Sequence, residues 1–190
     1  MLATQVLRQE HEAILRMLDG LDLTNRQLFS GSPLQPSTLK GFLEFFQLFA
    51  DRCHHGKEED LLFPLLERRG IPREGGPIGV MLLEHEHGRE LIRQMTSAAS
   101  DYEKEPGPAG KRFAEAAEGY SALLRQHIFK ENNILFQMAE QVLTPEEQTS
   151  LAADFEKVEI EKMGAGTHER LHVRMEELLA DVARGRTAGS

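Results

Sequence analysis

The sequence has a single cysteine, Cys53, no tryptophan, and no apolar run of the length that a membrane span needs. One cysteine excludes an internal disulfide, and the absence of about 18 consecutive apolar residues argues against a transmembrane helix. Near the amino terminus, Arg8 and Glu10 interrupt what would have to be the apolar core of a secretion signal. We therefore expect a cytoplasmic protein without an export signal.

Clusters of basic residues are also missing. The formal net charge is -9, from 22 Lys and Arg against 31 Asp and Glu. Nucleic acids and anionic membranes are both bound through basic patches, so we expect neither as a partner. What the 190 residues do have is 40% hydrophobic and 28% charged side chains, an ordinary balance for a folded globular chain with a real core.

Apolar residues recur at spacings of three and four along most of the chain, which is the period of an amphipathic helix. Three Gly/Pro/Ser-rich segments interrupt the pattern, at residues 30–37, 68–79 and 103–110. The pattern predicts four long helices, near residues 3–29, 37–68, 78–103 and 109–142. Because the connections are short, the expected fold is all-α, an up-and-down four-helix bundle in residues 1–142.

A further helix start follows the bundle. Thr144, Pro145 and Glu147 supply a hydroxyl cap, a proline for the first turn and a capping-box glutamate. A Gly-Ala-Gly break separates this fifth helix from a sixth. We expect residues 143–184 to form an extension of two additional helices packed on the bundle, and residues 185–190 to be a flexible tail.

The predicted bundle contains an internal repeat. Residues 54–67 align with residues 127–140 at an offset of 73, and the aligned segments read HHGKEEDLLFPLLE and HIFKENNILFQMAE. The tripeptide EHE at residues 10–12 recurs at residues 84–86, an offset of 74. The bundle is therefore two copies of a helix pair, and each copy offers one histidine on its first helix and an HxxxE motif on its second.

This repeat brings six polar side chains to positions that helices can direct inward. Residues four apart share a helix face, so His54 lies beside Glu58 and His127 beside Glu131. Burying so many histidines and glutamates requires compensation, which metal cations supply. Imidazole suits iron, zinc, copper and nickel, and a carboxylate can bridge two ions. We predict a dinuclear site with iron as the leading metal and six candidate ligands: His11, His54, Glu58, His85, His127 and Glu131.

The order of these motifs, H, HxxxE, H, HxxxE, resembles the bacterial branch of the hemerythrin-like proteins with an HHE cation-binding domain, over residues 1–142. The resemblance implies a four-helix bundle around a non-haem di-iron centre bridged by carboxylates or an oxygen atom. It makes Glu58 and Glu131 the bridging ligands and the four histidines the terminal ones, and it allows zinc as a substitute metal. Members of this branch are linked to nitric oxide, peroxide and iron-sulfur repair chemistry.

The sequence departs from the oxygen-carrying hemerythrins at two positions. Those proteins have an HxxxH pair on the third helix, whereas here Arg89 follows His85 at that spacing. They also have an aspartate five residues after the histidine of the fourth helix, where this chain has Asn132. The fifth histidine is therefore missing from its usual place, and the departure favours a more open, reactive site over simple oxygen carriage.

Other polar residues on the predicted bundle have competing interpretations. His55 and Glu59 form a further HxxxE pair, but they lie about 100° around the helix from the first pair. The second copy has Ile128 at the position of His55, so we expect His55 at the surface or in contact with a ligand residue rather than on the metal. Lys57 and Lys130 are predicted to lie on solvated helix faces.

Histidines outside the repeat give two alternatives. His168 and His172 share a face of the sixth helix and are candidates for a missing ligand, or for a hydrogen bond to one, if that helix covers the bundle. An ExxH spacing typical of ferritin-like di-iron proteins links Glu84 with His87 and Glu169 with His172. That alternative is less favoured because it leaves both HxxxE motifs unexplained.

Three functions are compatible with this pattern. The first is a di-iron protein that binds dioxygen, nitric oxide or peroxide in oxidative or nitrosative stress or in iron handling. The second is an enzyme that turns over one of these ligands, or a donor of iron for iron-sulfur repair. The third is a metal-stabilised regulatory protein whose helical extension binds a protein partner, and no such partner is indicated by the sequence.

Overall fold

The computed structural model describes residues 1–185 of the chain. Within these residues the chain forms six helices and no strand, which confirms the all-α prediction of a bundle with two additional helices. The helices are α1 (Ala3–Phe29), α2 (residues 36–68), α3 (Pro77–Asp101), α4 (residues 106–142), α5 (Pro145–Met163) and α6 (Thr167–Ala183). Of the predicted tail, residues 186–190 lie outside the part that the structure describes.

Prolines begin four of these helices, where the missing N–H is not needed for helical hydrogen bonds. They are Pro36, Pro77, Pro106 and Pro145. At the start of α5 the predicted capping box is present: Glu147 N donates to Thr144 Oγ1 at 3.2 Å, and Thr144 N donates to the Glu147 carboxylate at 2.9 Å.

The two longest helices each change from α-helical to π-helical geometry, which the sequence pattern did not predict. Helix α2 is α-helical at Pro36–Phe45, π-helical at Phe46–His55 and Glu58–Leu62, and α-helical again at Phe63–Arg68. Helix α4 is α-helical at Pro106–Lys130, π-helical at Glu131–Leu135 and α-helical at Phe136–Val142. The π-helical turns that begin at Glu58 and Glu131 occupy equivalent positions of the repeat, and such turns are common at functional sites.

Two apolar clusters fill the bundle, one toward each end. One is rich in aromatic residues and includes Phe42, Phe46 and Phe113. The other includes Phe63 and Phe136. On all four bundle helices the repeated histidines and glutamates lie near the change from positions that contribute to one cluster to positions that contribute to the other. A polar layer is thus enclosed by apolar packing on both sides, which limits the access of bulk water.

The last two helices share the core of the bundle. Helix α5 contributes Phe155 to one apolar cluster, and α6 contributes Leu171 and Met175 to the other. Helix α6 approaches α1 closely at Gly20, where an added Cβ would lie 2.4 Å from a methyl carbon of Leu179. None of the described helices is both long and apolar enough to cross a lipid bilayer.

Candidate metal centre

Four buried histidines form two pairs inside the bundle. His11 and His54 place their Nε2 atoms 2.9 Å apart, and His85 and His127 place theirs 3.1 Å apart. Each of the four residues has only 1% of its surface exposed. The first pair joins α1 to α2 and the second joins α3 to α4, so each copy of the repeat contributes one pair.

Two buried glutamates connect these pairs. The Glu58 carboxylate lies 3.6 Å from His54 Nε2 and 3.5 Å from His85 Nε2. Glu131 Oε2 lies 3.2 Å from both His11 Nε2 and His127 Nε2. Each glutamate therefore contacts one histidine of each pair, which is the arrangement that a carboxylate bridging two ions requires.

The donor set fits a pair of cations. Within residues 1–185, none of the carboxylate oxygens of Glu58 and Glu131 has a hydrogen-bond partner, although both residues are fully buried. Burial raises the pKa of Glu58 well above its ordinary value, and repulsion from Glu131 adds to this effect. Buried polar atoms without partners are costly, and metal ions would compensate them.

Ligand atoms in this layer fall into two groups, each within 4.8 Å of one another. The first group comprises His11, His54, Glu58 and Glu131, and the second comprises His55, Glu58, His85 and His127. Glu58 belongs to both groups. The structure thus brings all six predicted ligands together and adds His55, which the sequence pattern had not placed on the metal.

A second layer of side chains holds the Nδ1 atom of each paired histidine. His54 Nδ1 lies 2.8 Å from the Glu10 carboxylate, and His127 Nδ1 lies 3.0 Å from that of Glu84. The remaining two contacts are His85 Nδ1 to Glu59 at 2.7 Å and His11 Nδ1 to Asn132 at 2.9 Å. Such contacts orient a histidine and direct its Nε2 atom toward a metal.

Comparison with known sequences identifies the family. Residues 2–139 match the family model of the Hemerythrin HHE cation binding domain. The chain belongs to this hemerythrin family. The resemblance inferred from the motif order is therefore confirmed, and the chain contains a hemerythrin-like metal-binding domain.

Curated relatives of this hemerythrin-like chain include proteins named Iron-sulfur cluster repair protein YtfE. The protein from Escherichia coli O81 (strain ED1a) is 31% identical over 110 residues, which cover 55% of this chain and 50% of the relative. Those from Escherichia coli O1:K1 / APEC and from Escherichia fergusonii are 30% identical over 110 residues, with the same coverage. The hemerythrin-like chain thus aligns with about half the length of these relatives.

Lys57 of the hemerythrin-like domain is buried, so the prediction of a solvated helix face is wrong for this residue. Only 1% of its side chain is exposed, and its Nζ atom contacts Glu10 at 2.5 Å and Glu159 at 3.0 Å. Although burial opposes it, the charge of Glu10 raises the pKa of Lys57. Lys130 makes the equivalent contact with Glu84 but keeps 31% of its side chain exposed.

One of the two predicted placements of His55, at the surface of the hemerythrin-like domain, is wrong. Only 4% of the residue is exposed, and its ring stacks on that of His85 with 3.9 Å between centroids. The predicted angle of about 100° between His54 and His55 assumes a regular α-helix. The π-helical segment that ends at His55 has more residues per turn, so that adjacent side chains lie closer together around the axis.

The structure does not bring His168 and His172 into the polar layer of the hemerythrin-like domain. Their rings lie against Phe49, at centroid distances of 5.2 and 5.4 Å. His168 Nδ1 lies 3.8 Å from Glu159, which contacts Lys57 rather than a paired histidine. The ferritin-like alternative also finds no support, because His87 is exposed and Glu84 is bound to His127.

A cavity of about 200 Å³ leads from the surface toward the second pair of histidines. The residues that line it include Asp51, His55, His85, Arg89 and Tyr120. Arg89, in place of the missing histidine, donates hydrogen bonds to Asp51 at 2.8 Å and to Glu59 at 2.7 Å. Arg89 therefore connects residues beside the cavity of the hemerythrin-like domain and is not placed as a metal ligand. Tyr120 at this position was not predicted, since no motif links it to the repeat.

Proposed function

We propose that this hemerythrin-like domain holds two iron ions and binds or reacts with a small ligand, namely dioxygen, nitric oxide or hydrogen peroxide. The single observation that supports it most is the cross-connection of the two histidine pairs by Glu58 and Glu131. His11 and His54 would hold one ion, and His85 and His127 the other. Zinc would be accepted by the same donors as a substitute.

When bound, the two irons supply open coordination positions and electrons for a small oxidising ligand. The residues of the protein serve three purposes around the two irons. Glu10, Glu59, Glu84 and Asn132 fix the orientation of the histidine rings through their Nδ1 atoms. The apolar clusters on both sides exclude bulk water, and the cavity of about 200 Å³ gives a diatomic molecule or peroxide a path to the second pair.

The two departures from the oxygen carriers favour reaction over reversible carriage. Arg89 is bound to the carboxylates of Asp51 and Glu59, and Asn132 Oδ1 accepts a hydrogen bond from His11 Nδ1 instead of offering a carboxylate to a metal. Fewer protein ligands leave more positions open on the metal. We accordingly place the protein in the response to oxidative or nitrosative stress, or in iron handling.

A second candidate is the donation of iron during the repair of iron-sulfur clusters. The name of the relatives, Iron-sulfur cluster repair protein YtfE, favours it. The iron-loaded chain would then transfer iron to a damaged iron-sulfur protein and restore its cluster in the presence of a sulfide source. Retention of all iron by the chain in that mixture would argue against donation.

The test of the main proposal is a titration of the anaerobically iron-loaded protein with nitric oxide and, separately, with hydrogen peroxide. We expect about two irons per chain, and a spectral change that saturates with nitric oxide or proceeds to a diferric spectrum with peroxide. His127→Ala should lose this response, whereas the exposed His87→Ala, two residues from His85, should keep it. A wild-type protein that binds two irons yet responds to neither ligand would contradict the proposed reactivity.

A further inference from the structure

His55 is a buried imidazole without a hydrogen-bond partner among the residues that the structure describes. Only 4% of the residue is exposed, and neither of its ring nitrogens makes a hydrogen bond. The nearest carboxylate oxygen, in Asp51, lies 3.5 Å from its Nδ1 atom and accepts a hydrogen bond from Arg89 at 2.8 Å. Polar atoms buried in this way normally have a hydrogen-bond partner. The ring nitrogens of His55 are therefore available to bind another ligand.

The ring of His55 lies beside the second histidine pair. One of its nitrogens is within 4.8 Å of ligand atoms of Glu58, His85 and His127. Its ring centroid is 3.9 Å from that of His85 and 5.6 Å from that of His127. This histidine is therefore close enough to share a metal ion with them.

In the described part of the chain, no third histidine belongs to the group around the first pair, His11 and His54. In the second copy of the repeat the position of His55 is taken by Ile128, whose apolar side chain cannot bind a metal. The backbone differs as well, because the π-helical segment Phe46–His55 corresponds to a regular α-helix within Pro106–Lys130. The asymmetry is thus present in both the sequence and the helix geometry.

We propose that His55 is a third imidazole ligand of the ion held by His85 and His127, so that the two ions are inequivalent. The inference rests on the proposed dinuclear centre. With both glutamates bridging, the ion at His11 and His54 has four protein ligands and the other has five.

The most direct test uses the zinc-loaded wild-type protein and NMR of its histidine rings. Long-range proton–nitrogen spectra distinguish a metal-bound ring nitrogen from a free one, residue by residue. We expect bound signals for His55 and for all four paired histidines, and a free signal for His87, which is exposed. A free ring at His55 beside four bound histidines would overturn the inference and leave the dinuclear centre intact. Free rings at all of them would overturn the centre as well.

Competition with a chelator gives an independent readout. His55→Gln and His55→Ala should weaken the binding of one of the two ions by at least about 10-fold, the lower end for side chains around a metal. The other ion and the control His87→Ala should stay within about twofold of wild type. Equal affinities for both ions in the wild type and in the His55 variants would contradict the inference, whereas a wild type that binds fewer than two ions would instead contradict the proposed centre.

Discussion

Glu84 lies next to His85 in the sequence, yet its carboxylate is bound to the Nδ1 atom of His127 on the neighbouring helix, at 3.0 Å. Glu10 has the same relationship to His54 in the first copy of the repeat, at 2.8 Å. The acidic residue before each first-helix histidine thus orients the histidine of the second helix. This crossed arrangement links the two helices of each pair through the groups that surround the proposed metals.

Glu84→Gln tests the importance of this contact for metal binding. The substitution keeps a hydrogen-bond acceptor but removes the negative charge that strengthens His127 as a ligand. We expect the affinity for metal to fall about 10- to 100-fold, the usual effect of losing such a partner, with the helical content unchanged. Chelator competition measures the affinity, and the exposed Glu12→Gln on α1 should leave it unaltered. Equal losses of metal affinity in Glu84→Gln and Glu12→Gln would contradict this role of Glu84.

Lys57→Met tests the buried ion pair with Glu10. Removing one partner of a buried pair leaves an uncompensated charge, which costs about 3–5 kcal/mol of stability. We expect a loss of that order in the free energy of unfolding, measured in urea. Lys157→Met is the matched control, because its contact with Asp154 is exposed and such pairs contribute less than about 1 kcal/mol. Similar losses for both lysines would contradict the account.

The stability of the metal-free protein should fall when the pH is lowered below 6.5. Burial lowers the pKa of His54 to about 4 and those of His55 and His85 to about 3, from an ordinary value of 6.5. Between these values the unfolded chain binds more protons than the folded one. Each histidine therefore lowers the free energy of unfolding by about 1.4 kcal/mol for every unit by which the pH is lowered. Urea unfolding at pH 6.5, 5.5 and 4.5 measures the decline.

His127 should change the stability of the metal-free protein with pH in the opposite direction. Although burial opposes it, the charge of Glu131 raises the pKa of His127 to about 9. The stability it contributes is fully present below pH 6.5 and is lost as the pH rises through about 9. The metal-free protein should therefore be most stable near pH 6.5, and in His127→Gln the decline on the alkaline side should become smaller. A stability that is constant from pH 4.5 to 9 would contradict both assignments.

Helix α6 should contribute to the stability of the bundle as a whole. Leu171 is 4% exposed and belongs to an apolar cluster shared with α1, α2, α3 and α4. Leu171→Ala should therefore lower the free energy of unfolding by about 2–5 kcal/mol, with a single transition. Val173→Ala on the same helix removes a side chain that is 58% exposed and should change it by less than about 0.5 kcal/mol. An unchanged stability in Leu171→Ala would mean that α6 is not part of the cooperative unit.

The helix boundaries and the grouping of the six repeated residues follow closely from the sequence. Helix period, proline starts and glycine breaks are local signals, and they placed α1 at the residues where the structure has it. The offset of 73 between the HxxxE motifs carries the symmetry of the site, because equivalent positions of a repeat adopt equivalent places in the bundle.

The surface placement of His55 and the solvated position of Lys57 are the two predictions that the structure contradicts, whereas the contact of His55 with a ligand residue agrees with it. The position of His55 was inferred from the 100° step of a regular α-helix, whereas the structure has π-helical turns on both sides of Gly56 and Lys57. No periodic pattern in the sequence predicts this change from α-helical to π-helical geometry. The crossed contacts of Glu10 and Glu84 also depend on how neighbouring helices are aligned, which a single sequence does not specify.

Iron X-ray absorption spectroscopy combined with metal analysis tests the central claim most directly, namely that Glu58 and Glu131 bridge two ions held by two histidine pairs. The account predicts two irons per chain and scattering from a second iron at about 3.5–4 Å, the separation of paired metals in proteins. It also predicts that this scattering disappears in Glu58→Ala. One iron per chain, without iron–iron scattering in the wild type, would contradict it.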